Sequence, residues 1–540
     1  MEQLEVETAA DENQMPTRSN LRMFAVLTSL YLSLFVAALD QTIVSTAIPT
    51  IASQLHSAAG YTWIGGAYLL AKAAAMPIWA KLSDIWGRKP IILAALLIFF
   101  SSSILCALAR TMTTLIAGRA VQGVGGGGLL QLTAITISDL FSLRRRSLFL
   151  GLTELMWAAA AGAGPVLGGA LAQHASWRWI FWLNLPVAGA AAALALLALD
   201  VHNPRTRVAD GLRAVDWFGA VAMLGMTLML LLGLNFGGVV AAWSSAEVVC
   251  LLVFGAIMVA VFVVGERRLA AHPLMPMRLF GRRASVAAFA ASFVHGFVFI
   301  AAEYYLPLYF QAAKLASPTR SGLLILPLVV SEALAAVATG VAIHRSGEYR
   351  VFLQAGMALA VLGVALFTLF RPDTPVATIV GLEVLAGLGI GLGFQPPVIA
   401  VQAVVAQRDV AAATAAMGFM KNLATSLSIV LGGVVFQNSM GLREPALRAA
   451  GVGKDLASEL AGPDAAANVE LIGTIEDAAQ QLTVKEAFAW SMRNMWIMYA
   501  CVAACGVVAT LFVERSPLSK EHTETKTGLE KEEVQAVIDT

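Results

Sequence analysis

The chain has 540 residues, of which 58% are hydrophobic and 13% charged, against about 25% charged residues in a soluble domain. Its 36 basic and 35 acidic side chains leave a net charge of +1, which argues against a nucleic-acid partner. A water-soluble fold is excluded, and an all-α integral membrane protein crossing a lipid bilayer many times is expected.

The first twenty residues are polar and rich in acids, and the apolar run behind them is too long for the h-region of a cleaved signal peptide. Apolar runs then recur at 23–48, 62–80, 91–109, 113–139, 147–172 and 179–199. Two more follow at 217–235 and 246–265, and a second set at 284–310, 322–343, 351–370, 378–404, 412–437 and 491–513. Fourteen spans are therefore expected, and an even count places both termini on one side. Short connections on that side carry Lys81, Arg88, Lys89, Arg144, Arg145, Arg146, Arg205, Arg207, Arg213, Arg267, Arg268, Arg278, Arg282, Arg283, Arg345, Arg350 and Arg408. Those on the other side carry only Arg110, Arg178, Lys314, Arg320 and Arg371. By the positive-inside rule both termini are cytoplasmic.

The expected organisation is a cytoplasmic tail (1–22), an N-terminal six-helix bundle (23–199), a linker with two extra helices (200–283), a C-terminal six-helix bundle (284–513) and a cytoplasmic tail (514–540). The C-terminal bundle includes a long outer segment, 438–490, whose Ala/Leu/Glu composition favours helix and reads as a solvated cap. The loop AKLSDIWGRK after the second span has a degraded copy, GVAIHRSGEYR, after the tenth; Gly87 matches Gly347 and Ala80 matches Gly340. A duplicated bundle explains that placement, and carriers built from repeats bind substrate between them. Cys106, Cys250, Cys501 and Cys505 all lie in apolar runs and read as packing residues, with no metal site.

Charges inside the spans carry the functional signal. Asp40 lies in the first span, where a charge costs roughly 2.5–3.5 kcal/mol on insertion scales, so its default role is functional. Arg119 in the fourth span lies at matching depth, each about 13 Å below the outer boundary at 1.5 Å per residue. Burial and a nearby cation act oppositely on a carboxyl's hold on its proton, so movement of the pair can switch proton affinity. A static pair that only fixes helix register is the bland alternative. In the loop, Asp84, Gly87, Arg88 and Lys89 suit an acid–base latch closing one side. Glu303 and His295 in the ninth span and Glu154 in the fifth are candidates for substrate or proton binding. The GVGGGG run at 123–128 satisfies a dinucleotide pattern, but no strand precedes it; close helix packing is the better account.

Four motifs, in order, then suggest a family. LDQTIVSTAIP (39–49), AKLSDIWGRK (80–89), LIAGRAVQGVGGG (115–127) and GAGPVLGG (162–169) resemble the signatures of fourteen-helix drug:H+ antiporters of the major facilitator superfamily, the fungal multidrug and toxin efflux type. The resemblance covers about residues 22–513. Ala80 and Ala160 stand where the motifs usually have Gly, and Lys72 and Lys421 are charges the pattern does not lead one to expect. The resemblance implies a non-enzymatic, monomeric, plasma-membrane pump that exports amphipathic small organic molecules, with the proton gradient as its energy source and no bound cofactor. It also implies that Gly164, Pro165, Gly168 and Gly169 form the antiporter motif of a bending fifth helix. A proton-coupled basic amino acid or siderophore carrier of vacuolar or plasma membrane is the alternative, and a non-cycling receptor the rival from another class.

Overall fold

The computed structural model describes residues 20–55, 60–238, 241–270, 272–462, 465–466, 468–521 and 527–528. Long helices dominate, because a backbone crossing lipid must satisfy its own hydrogen bonds. The membrane helices are α1 (Asn20–Ile43), α2 (Gly60–Trp86), α3 (Arg88–Ala107), α4 (Met112–Leu140), α5 (Leu143–His174), α6 (Arg178–Ala198) and α7 (Trp217–Phe236). They continue with α8 (Ala246–Arg268), α9 (Arg283–Lys314), α10 (Pro318–Ser346), α11 (Arg350–Leu369), α12 (Val376–Val404), α13 (Val410–Gly441) and α14 (Ala478–Leu511).

Among the described residues, 13 helices are long and apolar enough to cross a membrane. The expected second span is the 27-residue α2, which falls outside that set; Lys72, Lys81 and Asp84 lower its hydropathy. The all-α order read from the sequence is the one observed: two sets of six long helices, α1–α6 and α9–α14, with α7 packed on α8 between them in the chain.

Local chemistry sets the helix ends. Thr111, Ser245 and Ser317 cap α4, α8 and α10 by accepting hydrogen bonds from the backbone N–H of Thr114, Val248 and Arg320. Between α2 and α3 only Gly87 intervenes, with φ 89°, and Gly347 ends α10 with φ 76°. These matched positions of the two repeats both need the left-handed backbone that glycine allows. Some ends differ from expectation. α1 stops at Ile43, and a separate short helix, Ile48–Gln54, follows a turn. α14 begins at Ala478, well before the apolar run that marks it.

Segment 438–490 is folded against the second bundle. Its short helices Glu444–Ala449 and Lys454–Ala461 bury Leu447 and Leu460 in the same apolar cluster as Tyr309, Phe436 and Phe488. α7 lies against α2, with Leu231 packing on Leu70 and Ala73.

The two bundles meet on the face where α1 begins and α14 ends. Ser147 Oγ of α5 donates to the Gly340 carbonyl of α10 at 3.1 Å, and Arg144 Nε donates to the His344 carbonyl at 2.7 Å. A Cβ on Gly340 would collide with the Ser147 carbonyl. The C-terminal tail crosses this same face. Leu518 is buried, the Ser519 carbonyl accepts from the Arg144 N–H at 3.4 Å, and the Gly528 N–H donates to the Asp84 carbonyl at 2.7 Å.

Candidate functional site

Asp40 sits in the last turn of α1, and both it and Arg119 of α4 are at most 1% exposed. Arg119 Nη1 donates to Asp40 Oδ2 at 2.5 Å. The other oxygen, Oδ1, accepts from Gln122 Nε2 at 2.9 Å and from Asn184 Nδ2 of α6 at 2.7 Å. Arg119 also donates to the Ile64 carbonyl at 3.1 Å and to Gln122 Oε1 at 2.7 Å. Its guanidinium lies 4.4 Å from the ring centre of Tyr68, whose hydroxyl donates to the Ala37 carbonyl at 3.0 Å.

Taking two ions out of water costs several kcal/mol each, and their attraction offsets this only where further hydrogen bonds complete the shells. Gln122, Asn184, the Ile64 carbonyl and the Tyr68 ring provide that completion. The result is a polar network contributed by α1, α2, α4 and α6. Arg119 is thereby shared among Asp40, Gln122 and the Ile64 carbonyl. Sequence reasoning missed Gln122, Asn184 and Tyr68. Only Gln122 had a usable signal, since three residues beyond Arg119 lies on the same helix face.

α1 carries this network on one side and a second contact on the other. Gln41 Oε1 accepts from Lys72 Nζ at 2.8 Å, and that ammonium lies 5.8 Å from the Trp157 ring centre. Across from it, Lys421 of α13 stands 4.1 Å from the ring centre of Phe394 and 5.4 Å from that of Phe299. Half-buried Glu154 and Glu303 and buried Glu332 lie within electrostatic reach of Lys421. Glu154 meets Gln395 Nε2 at 3.5 Å, and His295 Nε2 bonds the Ile390 carbonyl at 2.8 Å with its ring edge-on to Phe394 at 4.7 Å. The three sequence candidates thus surround a polar and aromatic region between the bundles. His295 is held by α12 on its ring nitrogen, whereas Glu303 shares the field of Lys421.

The loop residues divide. Arg88 is buried, with Nη1 on Asp84 Oδ1 at 2.6 Å and Nε on Asp139 Oδ2 at 2.6 Å. Asp139, at the end of α4, was not anticipated. Lys89 turns away and donates to the Leu196 carbonyl of α6 at 2.7 Å. A Cβ on Gly87 would meet Pro204 Cδ at 3.0 Å.

In α5, Pro165 lies inside a helix that runs unbroken from Leu143 to His174. Gly164 faces Thr42 and Gly168 faces the Ile43 carbonyl, each too closely for a side chain, while nothing lies within 4 Å of where a Gly169 Cβ would be. Thr42 Oγ1 donates to the Ala160 carbonyl at 2.9 Å. Two glycines of the motif therefore seat α5 against the Asp40 turn of α1, because only glycine permits that backbone approach.

Residues 30–429 match the profile described as Major Facilitator Superfamily. The chain belongs to the major facilitator superfamily. It is a membrane transporter, and it has fungal relatives. The MFS-type transporter ppz2 of Metarhizium majus is 42% identical over 523 residues, covering 97% of this chain and 90% of that protein. Efflux pump dotC of Dothistroma septosporum is 42% identical over 505 residues, covering 94% and 86%. Efflux pump FUS6 of Gibberella moniliformis is 34% identical over 526 residues, covering 97% and 93%. These efflux pumps agree with the efflux carrier read from the motifs. Among solved structures, the human organic anion transporter MFSD10 (TETRAN) aligns over 90% of this chain and 99% of its own with a TM-score of 0.55. At 14% identity that likeness supports the shared fold alone.

Proposed function

We propose that this major-facilitator protein is a monomeric, proton-coupled antiporter of the plasma membrane that exports amphipathic small organic molecules, with both termini in the cytoplasm. The observation that carries the reading is the fully buried Asp40–Arg119 pair, held by Gln122 and Asn184 directly beside the packing of α1 on α5. A charge at such a place is expensive, and register alone could be fixed by apolar side chains. Proton arrival from outside neutralises Asp40 and frees Arg119. The loosened α1–α5 contact lets α5 shift against α10, the seam that closes the terminus-bearing face. Substrate then loads from the cytoplasm between the bundles, among Trp157, Phe299, Phe394 and the charges around Lys421. Proton release to the cytoplasm rebuilds the pair and closes the seam again.

The test is transport in sealed vesicles with an imposed proton gradient. Wild type should move labelled amphipathic compounds against their gradient only while the proton gradient lasts. Transport by wild type that ignores the gradient would end the coupling reading.

A further inference from the structure

A lateral crevice of about 380 Å³ opens between the start of α9 and the end of α14, on the face that bears the termini. Phe280, Val286, Ala290, Ala509 and Phe512 make its walls, and Arg283 stands at its lip. Val286 is 45% exposed and Phe512 62%, so the groove faces outward toward lipid. Arg282 and Arg283 are both exposed, and among the described residues neither side chain has an ion pair or hydrogen bond. Arg267 and Arg268 on this face are exposed in the same way, while other basic residues there are paired. Arg278 pairs with Asp409, Arg88 with Asp84 and Asp139, and Arg515 with Glu348. A cation on the wall of an apolar slot, Arg283, with Arg282 next to it in the chain, matches one molecule in both charge and shape.

We propose that this crevice binds an anionic phospholipid, its phosphate and acidic headgroup on Arg282 and Arg283 and one acyl chain between Phe280, Val286, Ala290, Ala509 and Phe512. The inference rests on the orientation given above, which places the groove in the cytoplasmic leaflet where anionic lipids concentrate. Phe512 directly follows α14, and the tail leaving it runs to Tyr349, whose hydroxyl donates to the Glu514 carbonyl at 2.7 Å. A lipid seated here therefore packs α9 and α14 together at the point where the tail begins to cross the seam.

The experiment is native mass spectrometry of the full-length purified protein, titrated with phosphatidylserine or with phosphatidylcholine of the same acyl chains. No gradient or substrate is present, so the result is independent of whether the coupling reading holds. Wild type should retain phosphatidylserine preferentially. Arg282→Ala with Arg283→Ala should lower its occupancy roughly thirtyfold, about fivefold for each cation removed. Ala509→Trp, which fills the slot, should displace both lipids while leaving both arginines in place. Arg267→Ala with Arg268→Ala, a basic pair on the same face but outside the groove, should leave the preference intact. Equal loss in that control, or an unchanged phosphatidylserine preference in the Arg282/Arg283 variant, overturns the site and leaves only diffuse surface charge. A variant that fails to fold is recognised by its lost monomer signal. In that event Arg283→Gln, which keeps the stem, carries the same expectation at about fivefold.

Discussion

Asn184 donates its side-chain amide to Asp40 Oδ1 at 2.7 Å, so α6 helps to hold the carboxylate that α1 presents to Arg119. The same two helices also meet where the Ala191 carbonyl accepts from Ser29 at 2.8 Å and the Ala198 carbonyl from Arg22 at 3.2 Å. Hydrogen bonds to charged groups are worth about 1.5–3 kcal/mol. Asn184→Ala should therefore slow gradient-driven export about tenfold or more, with the protein still inserted. Uptake into inverted vesicles at equal protein level measures it. Asn184→Asp, which places a second acid against Asp40, should be worse than the alanine variant.

Removing one partner of the buried pair should be costlier than removing both. Breaking such a pair leaves an uncompensated ion and destabilises by about 3–5 kcal/mol. Arg119→Ala should lower thermal stability sharply, while Asp40→Asn with Arg119→Gln, neutral and still hydrogen-bonding, should recover most of it. Transport should be lost in Asp40→Asn, in Arg119→Ala and in the neutral pair alike. Recovery of coupled export in the neutral pair would show that the charges serve register alone.

What the sequence made visible follows from these costs. Asp40 and Arg119 stand out because a charge in an apolar span is rare and needs a reason. Asn184 does not, because uncharged polar residues in membrane helices are common and satisfy themselves in many ways. Asp139 was hidden by distance, since 51 residues separate it from Arg88 and only the packing of α4 against α2 and α3 brings them together. The break between α2 and α3 was legible at Gly87. The start of α14 was not: residues from Ala478 onward are too polar to read as a span, yet Val484 and Phe488 are buried in one cluster with Leu447 and Leu460. A hydropathy pattern reports lipid contact and is blind to a helix continuing into a protein cap.

Arg88 and Lys89 are adjacent in the loop but should respond differently to mutation. Arg88 is 1% exposed and bridges two carboxylates, whereas Lys89 reaches only the Leu196 carbonyl. Arg88→Ala should abolish export and reduce the amount of folded protein. Arg88→Lys should rescue little, because a single ammonium cannot reproduce the fork that serves Asp84 and Asp139. Lys89→Ala should retain most transport. Vesicle uptake normalised to folded protein separates the three.

Gly340 lies where α10 passes the Ser147 carbonyl of α5, and any side chain there must push the helices apart. Gly340→Leu should therefore bias the protein toward the state open on the terminus-bearing face. Ala336, fully buried on the same seam, supplies the readout. A cysteine at Ala336, with the exposed Cys250, Cys501 and Cys505 replaced by serine, should react slowly with a maleimide in the parent protein. Labelling should be several times faster with Gly340→Leu, and export slower.

The C-terminal tail holds the same seam from outside. It buries Leu518, meets the first turn of α5 through Ser519 and reaches the end of α2 through Gly528, while Thr527 Oγ1 donates to the His202 carbonyl at 3.2 Å. Its root is in the other bundle, where Tyr349 bonds the Glu514 carbonyl. A segment tied to both bundles on one face favours the conformer in which that face is shut. Ending the chain after Ser516 should raise labelling of the Ala336 cysteine, and Leu518→Ala should do so in part, since burial of Leu518 is one of several contacts. The effects of truncation and of Gly340→Leu should not add, because both act by opening one seam. If labelling is unchanged by truncation, the tail rests on the face without biasing the cycle.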